Sequence, residues 1–413
     1  MEFIENIDKD AYNKFLEENN NAHFMQTIEF GEIRKNKRYI PHLVGMKDNG
    51  KLVCTALLLE KKLPKNYIYY YVPRGFTIDY NNHKLLKEFT DNLMTYCKKN
   101  KALFLKIDPA IKRYTIDLDG NKIDGEDNTD LINYLESIGY KHLGYNLGFE
   151  NYEPRFTFRV NIDMPMEEVY KNFHATTRKV LNKGNQYNLK IYKGTEKDIN
   201  DFYETMIETS KREGIIQADI KYYEDFYKIF HDSNMSDLYI AKVNIDDLKK
   251  LFKQNIEETK NKETKNEVGE KEKQDKLTKL NKQLDEINEI TDKELTLASI
   301  ITVKYKDKVW TIHGGNNSKL MSLNANYLIY YEIIKDANKE GYKLVDLFGT
   351  CGIANPDPSN PIYGIHNFKK RLGGEYCEFI GEFDLIANKP MYKLYTMYRN
   401  HKDKKRKKTS RKN

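Results

Sequence analysis

Three consecutive cations, Lys369, Lys370 and Arg371, follow Phe368 in the stretch NFKKRLGGEYCEFIGEFD, residues 367–384. Two readings are open. One is a solvated turn with Gly373 and Gly374 as flexible corners, leading into a strand from Tyr376 to Phe383. The other is a cation aimed at something negative. A second basic stretch, TTRKVLNKGNQYNLK at 176–190, holds four Lys/Arg in or near a helix end. It reads either as solvated helix surface or as a stripe facing phosphate.

Other chemistries are poorly supplied. The four cysteines, Cys54, Cys97, Cys351 and Cys377, are widely spaced and form no CxxC pair, so neither a zinc knuckle nor a disulfide framework is suggested. The start, MEFIENIDKD, is acidic and lacks an apolar core, and no apolar run reaches membrane-spanning length. The expectation is a soluble, cytoplasmic protein. Eight Lys/Arg and one Asp lie between Asn400 and Asn413, which leaves 61 bases and 61 acids from the 69 and 62 in the whole chain. The net charge of +7 therefore sits in the tail, 400–413, expected to be disordered by itself. Such a tail attracts an anionic membrane face or a nucleic acid without specificity, or simply solubilises.

The elements that position these residues repeat. The first copy runs HLVGMKDNGKLVCTALLLEKK, NYIYYYVPRG, LLKEFTDNLMTYCKKNK and ALFLKIDP. Its hairpin turn contains Asn49-Gly50, and Leu85, Leu86, Phe89, Leu93 and Cys97 fall at helical spacing. The second copy runs DLYIAKVN, LTLASIITVKYKDKVWTIHGG, NYLIYYEIIKDANKEG and YKLVDLFG. Each copy reads strand, strand, strand, helix, strand, so the chain is α/β with two tandem copies of one domain. The expected domains are 1–150 and 151–245 with 295–399. Where the first copy has a tight turn, the second has an insertion, 246–294. Leu248, Phe252 and Ile256, then Leu277, Leu280, Leu284, Ile287 and Ile290, mark two helices folded back as an antiparallel coiled coil. A limb of about twenty residues would project about 30 Å clear of the core. With 12 Lys and 14 Asp/Glu the insertion carries −2, which makes it no phosphate clamp by charge alone.

The two copies look like a tandem acetyltransferase-type (GNAT) fold. The order of motifs also resembles the Fem peptidyltransferases, from about residue 20 to 395. The motifs are MQTIEFGEIRK (25–35), YYVPRGFTIDY (70–80), KIDP (106–109), KREGI (211–215) with Tyr222 and Tyr223, VWTIHGG (309–315) and LVDLFGTCG (344–352), leading into the basic stretch. The resemblance implies transfer of an amino acid, Gly, Ala or Ser, from aminoacyl-tRNA to the side-chain amine at position 3 of the peptidoglycan stem peptide. It implies a lipid-linked or nucleotide-linked muropeptide acceptor, no metal and no cofactor. After KREGI, Gln217-Ala218-Asp219 replace a basic element of the relatives, which favours the lipid-linked acceptor and a peripheral contact with the inner membrane face. The insertion is similar to the arm of the longer Fem enzymes, for which a tRNA role has been inferred.

By this resemblance Lys369, beside Phe368, matches the family lysine that stabilises the oxyanion formed when an amine attacks an ester. Losing one such donor costs about a hundredfold or more. Arg34 matches a cation that binds the acceptor diphosphate, for which a planar guanidinium fork is suited. Arg74 is characteristic of the family, or else a strand-end salt bridge. Asp108, at the end of a parallel strand, holds the acceptor amine or caps the next turn. Tyr222 matches a substrate-contacting tyrosine, with aromatic core as the alternative. His313 stands where an aromatic is usual, as a base or a stacking residue. Two rivals remain. An acyl-CoA N-acyltransferase would need a Gly-rich pyrophosphate loop, which neither copy shows, although a helix N-terminus can also bind phosphate. A non-catalytic scaffold would need none of these residues.

Overall fold

The computed structural model describes residues 1–149, 151–214 and 216–410. Ile215 of KREGI and the end of the basic tail, 411–413, lie outside the described residues. The chain forms two compact units. The first gathers Met1–Phe158, Phe348–His366 and the chain from Glu375 onward; the second gathers Arg159–Leu347 and Asn367–Gly374. These units group residues by contact, whereas the expected boundaries follow the repeat.

In the first unit seven strands lie in the order Glu2–Ile4, Tyr39–Asp48, Lys51–Lys62, Ile68–Val72, Ala102–Ile107, Phe383–Ile386 and Tyr140–His142. Ile68–Val72 and Ala102–Ile107 pair in parallel, which requires a crossover. The helix His83–Lys99 supplies it. Asn82 caps that helix by accepting the Leu85 N–H at 3.1 Å. Leu85, Leu86, Phe89, Leu93 and Cys97 are all buried against the sheet. Each such Leu or Phe contributes about 1.5–3 kcal/mol relative to exposure. The hairpin turn has φ of 49° at Asn49 and 80° at Gly50, as the primed turns require.

The second unit repeats this plan. Lys190–Gly194, Ser236–Asn244, Glu294–Tyr305 and Lys308–Asn316 pair antiparallel in that order. The helix Ala325–Lys339 then returns the chain to Leu344–Thr350, whose start pairs in parallel with Lys308–Trp310. The linker helices also lie where the periodicity puts them. Helix Ile199–Glu213 ends on Gly214 in the left-handed region, and helix Ile220–Asp232 starts from the Asp219 cap.

Three local expectations differ. The insertion is two helices, Ile245–Lys260 and Glu267–Asn288, but its base does not stand clear of the core. Leu248, Phe252, Ile287 and Ile290 are buried in one cluster with Leu295, Leu297 and Ile300. The apolar residues at helical spacing thus serve both the helix pair and the sheet it leaves. The run Tyr376 to Phe383 is two strands, Glu375–Phe379 and Phe383–Ile386, broken by Gly381 with φ 97°. The first pairs with Lys112–Ile116 and the second with Ala102–Ile107. Finally, the basic tail is helical as far as Ser410, as the end of helix Lys389–Ser410. Lys and Arg are good helix formers, and extending an existing helix avoids the nucleation cost.

Candidate functional site

Lys369 is not in a turn. It lies in the last turn of the helix Tyr363–Lys370, where cations complement the carbonyl end of the helix. Its side chain is buried, at 5% exposure. Burial lowers its ammonium from 10.5 to about 8, against the opposing pull of the Asp346 carboxylate. At neutral pH most molecules therefore keep the charge, held in a dry setting. Asp346 is itself buried and accepts from Arg159 Nε at 2.9 Å. A cation in low dielectric beside a fixed carboxylate is pre-positioned for a developing negative charge.

The neighbours fix this segment. Phe368 meets Tyr327 and Tyr330 edge-on, with centroids 4.9 and 5.0 Å apart. The Arg371 carbonyl accepts from His174 N–H at 3.0 Å and from Thr177 Oγ1 at 2.8 Å. The corner Gly373 is required rather than merely flexible: its φ is 72°, and a Cβ there would lie 2.3 Å from the Asn172 carbonyl oxygen. Lys370 and Arg371 are half-buried.

A second group lies in the first unit. Asp108 is buried with both oxygens engaged, accepting from Tyr71 Oη at 2.9 Å and from the Arg74 N–H at 2.7 Å. Burial raises its carboxyl to about 8, opposed by Arg74. Arg74 takes a left-handed backbone, φ 59°, and its guanidinium donates to the Pro154 carbonyl at 3.0 Å and lies 4.9 Å from the Phe379 centroid. Arg34 ends the helix Ile28–Lys35 with its guanidinium 5.0 Å from the Tyr39 centroid. It depresses the ammonium groups of Lys37 and Lys61, each lowered first by desolvation. Glu153 is raised by desolvation and held down by Arg74, Arg34 and Lys37. Arg34, Arg74 and Asp108 thus share one electrostatic neighbourhood.

Tyr222 and His313 meet in the second unit. The His313 ring lies edge-on to Tyr222, Tyr223 and Phe226, at 5.8, 5.2 and 4.8 Å between centroids. That is an aromatic nest on the helix Ile220–Asp232, with His313 taking the place of a fourth ring.

Sequence reasoning missed Asp346, Arg159, Glu153, Lys37 and Lys61. Asp346 had a readable signal, a lone acid inside the apolar strand sequence LVDLFG. The others are surface-type residues whose neighbours come from distant segments.

The FemAB family matches residues 7–400. Lipid II:glycine glycyltransferase of Staphylococcus haemolyticus is 26% identical over 430 residues, 98% of each chain. The protein of the same name from Staphylococcus aureus strain MRSA252 is 26% identical over 429 residues. The crystal structure of FemX superposes with a TM-score of 0.76 at 24% identity, covering 95% of this chain and 99% of that one. A tandem GNAT protein from the clavulanic acid biosynthesis pathway reaches a TM-score of 0.50 at 9% identity over 94% of this chain. The fold is that of FemX, and the family match over residues 7–400 places this chain in the FemAB family.

Proposed function

We propose that the chain moves an aminoacyl group from a tRNA ester to the position-3 side-chain amine of a lipid-linked muropeptide. The observation that carries the reading is Lys369: a buried lysine beside the Asp346 carboxylate, on a FemAB-family chain. The neutral acceptor amine attacks the ester carbonyl and forms a C–N bond. The carbonyl oxygen becomes an oxyanion, which the Lys369 ammonium stabilises. Collapse breaks the ester C–O bond, and the tRNA ribose oxygen leaves with a proton. The amine nitrogen loses its extra proton, giving the amide. Arg34 and Arg74 hold the acceptor diphosphate, and Phe368 fixes the helix end that carries Lys369. Tyr222 and His313 shape the wall of the substrate site. The relatives' names make glycine the first donor to test. Among the described residues no helix is long and apolar enough to cross a membrane. With a tRNA as donor, the reading has the lipid-linked acceptor met at the cytoplasmic face.

The test mixes purified protein and lipid-linked muropeptide with tRNA charged in turn with labelled Gly, Ala and Ser. Parallel reactions contain acyl-CoA esters. One label should pass to the acceptor, and Lys369→Met should lower that rate at least about a hundredfold with the fold intact. Transfer from acyl-CoA alone, or from no donor, overturns the proposal.

A further inference from the structure

Between Val169 and Thr195 the chain carries six Lys/Arg and no Asp or Glu. In a body with balanced charge this is a concentrated cationic surface. Its central element is the helix Ala175–Asn182, bearing Arg178 and Lys179, with Lys183 as the C-cap. Lys171, Lys179 and Lys183 are exposed.

These cations line connected hollows. A cleft of about 630 Å³ is walled by Met166, Glu167, Tyr170, Lys171, Arg178 and Tyr331. It shares Arg178 with a second, of about 390 Å³, which also presents Lys179 and Lys183. Those two lysines continue into a third, of about 110 Å³, which reaches Tyr187 and Asn324. Cations thus alternate with the rings of Tyr170, Tyr331 and Tyr187. Tyr187 is stacked on Phe252 at 5.8 Å, which holds its ring in place. Glu167 is the one acid on this lining.

We infer that this groove binds the single-stranded 3′ end of the RNA donor and leads it to Lys369. The inference rests on the aminoacyl-tRNA reading above and assigns a surface to it. Cations tracking a phosphate backbone, interleaved with aromatic faces for bases, are what a single strand needs; stacking is worth about 1–3 kcal/mol per base. The groove also ends in the right place. The first turn of the cationic helix is bonded to the Arg371 carbonyl through His174 N–H and Thr177 Oγ1, two residues from Lys369. A membrane fits less well. None of the exposed large hydrophobic side chains falls between 166 and 195 among the described residues, and an interfacial helix would need an apolar face. The helical insertion, at net −2, is the weaker phosphate surface.

The test measures anisotropy of a 5′-labelled hairpin RNA with a single-stranded CCA 3′ tail, across a salt series. The full chain is compared with Lys179→Gln/Lys183→Gln and with Lys276→Gln/Lys279→Gln on the insertion, all exposed positions. The groove variant should bind about tenfold more weakly or worse. Its slope of log affinity against log salt should fall by about 1.4. The insertion variant should stay within about twofold. In the transfer assay the groove variant should raise KM for charged tRNA while largely keeping kcat. Wild-type-like RNA binding by the groove variant overturns the inference. So does a variant that loses only its binding to phosphatidylglycerol vesicles. Absence of transfer by the wild type overturns the functional reading separately, because RNA binding is read without chemistry.

Discussion

Each copy of the repeated unit puts an aspartate in or just after its last strand, and the two have different surroundings. Asp108 follows the strand Ala102–Ile107; Asp346 lies within Leu344–Thr350. Both are buried. Asp108 is held by neutral donors, a phenol and a backbone N–H, so desolvation dominates and its carboxyl rises to about 8. Asp346 has a guanidinium at 2.9 Å and supports the Lys369 ammonium. Asp108 lies just past the carboxyl end of its strand, where ligands gather in α/β sheets, whereas Asp346 is the third residue of its own. The neighbours decide whether the carboxyl there becomes a proton carrier near neutrality or a fixed counter-charge.

Removing the counter-charge is the strongest way to break this contrast. Asp346→Asn leaves buried Lys369 and half-buried Arg159 without their carboxylate, and stability should fall by about 3 kcal/mol. The Lys369 ammonium should then drop below about 8, because the opposing pull is gone. Fewer molecules carry the proposed catalytic cation at neutral pH, so the alkaline limb of the transfer profile should move to lower pH. Chemical denaturation and a pH–rate profile check the two effects. An unchanged alkaline limb would detach Lys369 from Asp346.

Sequence reasoning reached the repeated unit because its signals are local. Alternating strands, an Asn-Gly turn and the Leu85-to-Cys97 spacing need no distant partner. It missed the break at Gly381, since an apolar run reads the same whether it feeds one strand or two. The burial of the insertion's base escaped for a related reason: Leu248 and Ile287 keep the same spacing whether they face a helix or a sheet. The chemistry was less legible still. Lys369 stood out through the ordered motifs, but its burial depends on packing that one stretch cannot show. The Arg159–Asp346 pair joins residues 187 apart in sequence.

Asp108→Asn tests the other side of the comparison. Its carboxyl is raised from 3.8 to about 8 in the fold. Between those values the folded state holds a proton that the unfolded chain gives up. That stabilisation is full below about pH 4 and is lost as pH rises toward 8. The asparagine cannot titrate and still accepts the Arg74 N–H. Stability of the variant should therefore be flatter than wild type from about pH 4 to 8, a difference of a few kcal/mol across the window. The same slope in both proteins would mean that Asp108 is ionised throughout.

A smaller change sharpens the point. Tyr71→Phe keeps the buried ring and removes one donor to Asp108, 2.9 Å away. A bond to an ionised carboxylate is worth about 1.5–3 kcal/mol, and one to a neutral acid about 1. The cost of the substitution should therefore grow with pH, from about 1 kcal/mol in acid toward about 2 above pH 8. Losing the phenol also raises Asp108 further, so the fall in stability should extend to higher pH than in the wild type. Unfolding curves at three pH values distinguish this from simple loss of packing, which would cost the same at each. A pH-independent cost would place the phenol against a carboxyl that never ionises, and the contrast with Asp346 would then rest on charge alone.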